Sequence, residues 1–339
     1  MRLMTAAAAM VLAILMFALW LLTPVDPVAA AYAHSECRTV ELIDTETGRS
    51  ISGAEDLVLL PDGDTLVVSS HDRLDSTRPD GGIYLASLWG IRAADRYEVQ
   101  NVVDPAFRIE TFRPHGIAVN DAGSRLAVIN RVAPGQVAIE IGDLGSGRWS
   151  ASKRLTGDSL CRANDLNFVP AEVETLEITL DRESCGTSMA DLFPGSSTGR
   201  VARWNGGRLQ EARSGLSFPN GISGPYIAET RKDRILRPAG EPIRLPGGPD
   251  NLTPEDSRTL LVAMHPSLRR LWLYLNGAWP SAPSRIARVD VLSSAVEVLF
   301  DDPSGEVFSA ATTAVFAKDM LIAGSVVDHG LLVCQRSDP

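Results

Sequence analysis

One figure recurs along this sequence, and it limits the chain to few architectures. In Ser52 to Ser70, SGAEDLVLLPDGDTLVVSS, polar residues open an apolar strand, a Pro-Asp-Gly-Asp turn reverses it, and a second apolar strand returns. Counterparts begin at His115-Gly116-Ile117, Asn164-Asp165-Leu166, Asn220-Gly221-Ile222, Asp250-Asn251-Leu252 and Thr313-Ala314-Val315. Period-two apolar alternation with turn chemistry between the halves predicts hairpins. Six such units spaced tens of residues apart predict an all-β fold built by radial repetition, a six-bladed β-propeller over residues 34–339. Further strands are expected at Gly82 to Ser87, Gln136 to Ile141, Arg200 to Trp204, Arg234 to Arg237, Arg285 to Val291 and Val296 to Phe300, whereas Ala311 to Ala317 reads equally as strand or loop. No long amphipathic helix follows residue 34.

Five of the copies open on a side chain that would meet its counterparts at a common axis: Glu55, His115, Asn164, Asn220 and Asp250, with Asp56, Asp165 and Asn251 just behind. Crowded carboxylates in a channel call for a cation. Every side-chain donor but His115 is an oxygen, which suits a hard ion such as calcium rather than zinc. Glu55, Asn164, Asn220, Asp250 and Asn251 would give two charges and three neutral donors, leaving room for water or substrate. Asp56 and Asp165 follow directly after ligands and so point to the opposite strand face; they suit a second, closed calcium site, or equally a pair of carboxylates held by backbone N–H groups. Taken singly, Asn220-Gly221 is also a turn signal and Glu55 a strand-edge carboxylate.

The first 33 residues are of another kind. Arg2 precedes an apolar run from Met4 to Leu22, and Pro24 to Ala33 closes on Ala31-Tyr32-Ala33. The segment reads as a cleaved export signal or, being long enough to span a bilayer, as an uncleaved membrane anchor. Either places residues 34–339 outside the cytosol: periplasmic, secreted or tethered. The four cysteines of an exported chain then suggest two disulfides. Cys37 with Cys334 would close the ring, and Cys161 with Cys185 would join the ends of a hairpin; free or cross-paired thiols are the alternative. A net charge of −10 argues against nucleic acid as a partner. The sequence also lacks a phosphate-binding Gly-rich loop and a Cys-x-x-Cys pair.

The motifs Gly53-Ala54-Glu55-Asp56-Leu57, Phe112-Arg113-Pro114-His115-Gly116-Ile117, Asn164-Asp165, Phe218-Pro219-Asn220-Gly221-Ile222, Tyr226-Ile227-Ala228-Glu229, Asp250-Asn251-Leu252, Met264-His265-Pro266 and the terminal Cys334 come in an order that resembles the paraoxonase/arylesterase family of calcium-dependent six-bladed propeller lactonases, within the gluconolactonase-like group. The resemblance implies a catalytic calcium on Glu55, Asn164, Asn220, Asp250 and Asn251. It implies a structural one on Asp56, Asp165 and the carbonyl of Ile117, and a ring-closing Cys37–Cys334 disulfide. It also makes His115 a general base and places His265 at the pocket mouth. The partner of that histidine departs from the family pattern, because Val128-Ile129-Asn130-Arg131 carries Arg131 where a second histidine is expected. An arginine does not relay a proton near neutral pH, but it pairs with a carboxylate or holds a substrate anion. The segment Cys185 to Arg200 is short where the family carries a lid, so substrate preference does not transfer.

Two functions follow as expectations. One is a calcium-dependent hydrolase that opens lactones or cleaves related esters, with His115 or a ligand carboxylate activating water. The other is a calcium-stabilised propeller that binds a ligand or protein without turnover. Ring size, acyl chain and oligomeric state are not encoded in any motif.

Overall fold

Each repeat becomes a four-stranded antiparallel unit. The computed structural model describes residues 23–74, 81–107, 111–145, 147–172, 174–186 and 195–335. The apolar run of the N-terminal segment and part of the Cys185 to Arg200 segment lie outside these described residues. Ala54–Leu59, Thr65–Ser70, Gly82–Ser87 and Arg96–Asn101 pair in chain order. Sheets of the same kind run from Pro114–Val119 to Arg148–Thr156, from Ala163–Phe168 to Leu209–Leu216, from Pro219–Ser223 to Ile243–Arg244, and from Gly248–Pro254 to Val296–Asp302. Ala311–Ala317, a segment ambiguous in sequence, is a strand, and pairs with Met320–Ser325, which pairs with Leu331–Gln335.

This last array takes its fourth strand from the other end of the chain. Cys37 to Val40 run antiparallel to Leu331–Gln335, with Cys37 directly opposite Cys334. The second half of the same strand, Glu41 to Asp44, runs parallel to Arg96–Asn101, so the first and last arrays share one eight-stranded sheet. Both expected disulfides are present, Cys37–Cys334 and Cys161–Cys185.

The first strands touch one another in sequence: Ala54–Leu59 meets Pro114–Val119, then Ala163–Phe168, Pro219–Ser223, Gly248–Pro254 and Ala311–Ala317, which returns to Ala54–Leu59. The fold is all-β and propeller-like. Its core lies between successive sheets, and the second strands explain why. In Thr65–Ser70, Leu66 and Val68 pack on Val315, Ile322 and Val333 of one neighbour, while Val67 packs on Leu126, Val128 and Trp149 of the other. Alternate side chains thus serve opposite faces that are both buried, and the strand reads as a continuous apolar run. Two short helices, Leu88–Ala93 and Leu268–Leu275, start on Ser87 and Ser267, whose hydroxyls accept from Trp89 N and Arg270 N. No helix among the described residues is long and apolar enough to cross a membrane.

The tail of the expected export segment belongs to the fold. Ala31 N and Tyr32 N donate to the carbonyls of Val298 and Leu299, Val28 N donates to Asp301 Oδ2, and the Tyr32 ring sits in the core beside Phe300 and Phe308. A boundary after Ala33 would cut through these contacts.

Candidate metal centre

Every first strand breaks register at the same point. The shifts fall between Ala54 and Asp56, Pro114 and Ile117, Ala163 and Leu166, Pro219 and Ile222, Pro249 and Leu252, and Ala311 and Thr313. A bulge leaves residues out of the ladder and re-aims their side chains. The residues so released are Glu55, His115, Asn164, Asp165, Asn220, Asp250, Asn251 and, in the last unit, Thr312. Asn220-Gly221 is therefore part of a strand and not a turn. Gly116 and Gly221 also let the first strands close up. A Cβ on either would fall 2.6 and 2.5 Å from the carbonyls of Asn164 and Asp250 in the adjoining strand, so no larger residue fits there without a shift.

Thr312 has no place in the set expected from the sequence. Its hydroxyl donates to the Glu55 carbonyl at 2.7 Å. Ala311-Thr312-Thr313 aligns with Ala54-Glu55-Asp56 when the sixth copy is started one residue before Thr313, and that shift is the signal that reveals it.

The expected ligands are all buried. Glu55 Oε2, Asn220 Oδ1 and Asn251 Oδ1 are buried oxygens with no hydrogen-bond partner. The Asn251 amide nitrogen donates to the Glu55 carbonyl at 3.3 Å, which turns its oxygen away from that strand. Asn164 Oδ1 accepts from His115 Nε2 at 2.8 Å, and Asp250 Oδ2 lies 2.6 Å from His265 Nε2. A buried unpartnered oxygen is costly, and oxygens of this kind are the donor chemistry of a hard cation. Among the described residues, no group of three or more His, Cys, Asp or Glu is arranged to hold a metal. A calcium set here would draw three of its five side chains from asparagine, and those oxygens are the right chemistry for that ion.

Burial pushes the Glu55 carboxyl up to about 7; the Arg73 guanidinium opposes this and Asp250 adds to it. Asp56 is raised first by burial and then by the neighbouring charges of Asp165 and Glu55. Asp56 Oδ2 accepts from Ile117 N and Asp165 Oδ2 from Ile222 N, each at 2.8 Å, while their Oδ1 atoms accept from Leu57 N and Leu166 N. These two carboxylates tie successive first strands together, in the backbone-held arrangement that the sequence left open. Both line a cavity of about 280 Å³, together with Asp121 and Asn251.

His115 has both ring nitrogens engaged. Burial, with Arg131 and Arg73 nearby, holds its pKa well below the ordinary value, so the ring is neutral. Nε2 carries the proton donated to Asn164, and Nδ1 accepts from Arg73 Nη2 at 2.6 Å. The guanidinium that meets His115 is therefore that of Arg73, from the connection after Thr65–Ser70, and not that of Arg131. Arg131 lines a cavity of about 330 Å³ together with His71, Arg73, Arg113, Arg162 and Asp181. His265 is not at the mouth of that cavity. It ends strand Thr259–His265, and its bond to Asp250 keeps it buried.

No protein-family profile and no curated protein matches the sequence. Similar solved structures include a presumed TolB from Agrobacterium tumefaciens, 15% identical over 84% of this chain and 90% of that one, with a TM-score of 0.49. A presumed gluconolactonase is 14% identical over 90% and 94%, with a TM-score of 0.46. The calcium-binding protein regucalcin from Agrobacterium tumefaciens is 15% identical over 88% and 98%, with a TM-score of 0.45. Likeness at this level carries no activity over to this chain.

Proposed function

We propose that this chain is a calcium-dependent hydrolase of lactones or related carboxylic esters, built as a six-bladed propeller whose channel holds the ion. The observation that carries the reading is the set of partnerless buried oxygens on Glu55, Asn220 and Asn251, at bulges shared with Asn164 and Asp250. Those five residues would hold the metal. A second ion on Asp56, Asp165 and the Ile117 carbonyl would offset the burial and the like-charge crowding that raise Asp56. Bound calcium supplies Lewis-acid polarisation of the scissile carbonyl.

The remaining chemistry falls to the chain. Asp250 Oδ2 is taken by His265, whereas Glu55 Oε2 has no hydrogen-bond partner and stands 3.3 Å from His115 Nδ1. Glu55 is thus the carboxylate placed to accept the proton of an attacking water. The water oxygen bonds to the carbonyl carbon, the ring C–O bond breaks, and the departing alkoxide takes a proton to give the hydroxy acid. His115, with both nitrogens occupied, is a positioning residue: its Nε2 proton fixes the amide of Asn164. The Arg73–His115 contact in place of a histidine dyad is what favours the second reading, a binding propeller without turnover. Two disulfides fit an oxidising compartment and an exported chain.

The test is a panel of lactones and aryl esters assayed with calcium and with chelator, alongside melting curves. Calcium at about 100-fold over its dissociation constant stabilises the fold by about 2.7 kcal/mol, so chelation lowers the melting temperature. Asp250→Ala loses activity and the calcium-dependent shift together. His115→Gln keeps the shift and a measurable rate. A His115→Gln protein that binds calcium but is as inactive as Asp250→Ala makes His115 the base, and calcium-loaded protein that turns over no lactone or ester leaves the binding propeller.

A further inference from the structure

The cavity that receives Arg131 has a charge opposite to that of the protein. In a chain of net charge −10, four arginines, Arg73, Arg113, Arg131 and Arg162, line about 330 Å³ against the single carboxylate of Asp181 among the described residues. Gathering like charges in a partly enclosed space is unfavourable unless something of opposite sign enters it.

Arg73 is anchored by its Nη1 bond to the Val326 carbonyl at 3.1 Å and by its Nη2 bond to His115. Arg162 is anchored on the Cys185 side of the disulfide, donating to the carbonyls of Ser184 and Cys185 at 3.0 Å. The Arg131 guanidinium makes no hydrogen bond or ion pair among the described residues. Asp181 offsets its charge only in part: that carboxylate lies 3.6 Å from Arg182, and its Oδ1 is buried without a hydrogen bond. Burial depresses the Arg131 pKa, opposed by Glu55 and Asp181 and assisted by Arg162. His71 adds no charge near neutral pH, since burial and Arg73 bring it to about 4. Ala133, Pro134 and Val137 make the remaining wall apolar.

An open guanidinium fork beside two anchored ones matches the planar oxygens of a carboxylate or the oxygens of a phosphate. Arg73 lines this cavity and also bonds His115, so one residue is common to the cavity and the candidate metal centre. We infer that this pocket seats the anionic end of the substrate, a lactone or ester that carries a carboxylate or phosphate beside a short apolar segment. Turnover of such a substrate rests on the hydrolase reading; binding of the anion does not.

The binding arm uses calorimetry on the full chain with sulfate, succinate and methyl phosphate as probes at low ionic strength, with chloride as the control. Wild type binds an oxyanion, and Arg131→Gln weakens that binding by about 10- to 100-fold, the loss of one charge-assisted contact, with Arg131→Lys between the two. Succinate bound more tightly than methyl phosphate assigns a carboxylate, and the reverse assigns a phosphate. In the kinetic arm, the ratio of kcat/KM for a carboxylate-bearing lactone over its neutral counterpart falls in Arg131→Gln by the same factor, through KM. No binding by wild type, or equal binding by wild type and Arg131→Gln, overturns the inference. Anion binding without hydrolysis of any lactone leaves the pocket standing and removes the hydrolase; hydrolysis of neutral lactones unaffected by any anion removes the pocket alone.

Discussion

The Cys37–Cys334 bridge spans 297 residues, and the double substitution C37A/C334A measures what closing the ring contributes. In the chain-entropy treatment, restraining a loop of that length destabilises the unfolded state by about 5.7 kcal/mol at 25 °C. The Cys161–Cys185 bridge, 24 residues apart, gives about 3.4 kcal/mol by the same relation. The outer pair should therefore cost about 2 kcal/mol more to remove than the inner pair. Its strand register, Cys37 to Val40 on Leu331 to Cys334, can remain without the sulfurs. The assay is equilibrium urea unfolding followed by tryptophan fluorescence on both double variants, with the free energy taken from midpoint and slope. Limited proteolysis adds a second readout, because Glu41 to Asp44 keep their parallel partner Arg96–Asn101 and should stay protected. If C37A/C334A is no less stable than C161A/C185A, long-range closure is not what the bridge supplies.

Two other outcomes follow from burial. Asn251-Leu252-Thr253 is a glycosylation sequon, yet Asn251 is buried with its amide nitrogen on the Glu55 carbonyl. Mass spectrometry of protein from a glycosylating host should find it unmodified, and a glycan there would remove Asn251 from the candidate metal centre. Tyr32 occupies the core and Ala31 and Tyr32 bond the Val298 and Leu299 backbone, so mature protein should retain residues 26–33. Intact-mass analysis of protein produced from the full sequence checks this, and a mature chain starting at His34 would contradict it.

The innermost hairpins were legible because their two halves are apolar on both faces and their turns carry Pro, Asp and Gly, as in Leu57 to Val68. The candidate ligands were legible because the repeat phases them, even though the bulges that release them leave no mark in composition. Outer strands were harder. Leu209–Leu216, LQEARSGL, is almost wholly exposed, and a strand with one wet face and an open edge has no need of apolar alternation. Arg96–Asn101 is likewise polar along its exposed positions, although Glu41 to Asp44 cover its outer edge. Arg73 could not be assigned to the site, since it stands in a connection without periodicity and only the closed ring brings it against His115. The chain position of His265 does not say which way its ring turns; the Asp250 carboxylate decides that.

The strand Cys37–Asp44 serves two arrays made at opposite ends of synthesis, and this fixes an order of events in time. Once Arg96–Asn101 has been made, Glu41 to Asp44 can dock on it while most of the chain is still missing. Cys37 to Val40 must wait for Leu331–Gln335, the last strand. Until then the nascent protein carries an unpaired edge, a template for mispairing with other chains. Pairing across so large a sequence separation is intrinsically slow, so joining the two ends is the step expected to limit refolding. The early parallel contact holds the waiting half-strand close to where its partner will arrive.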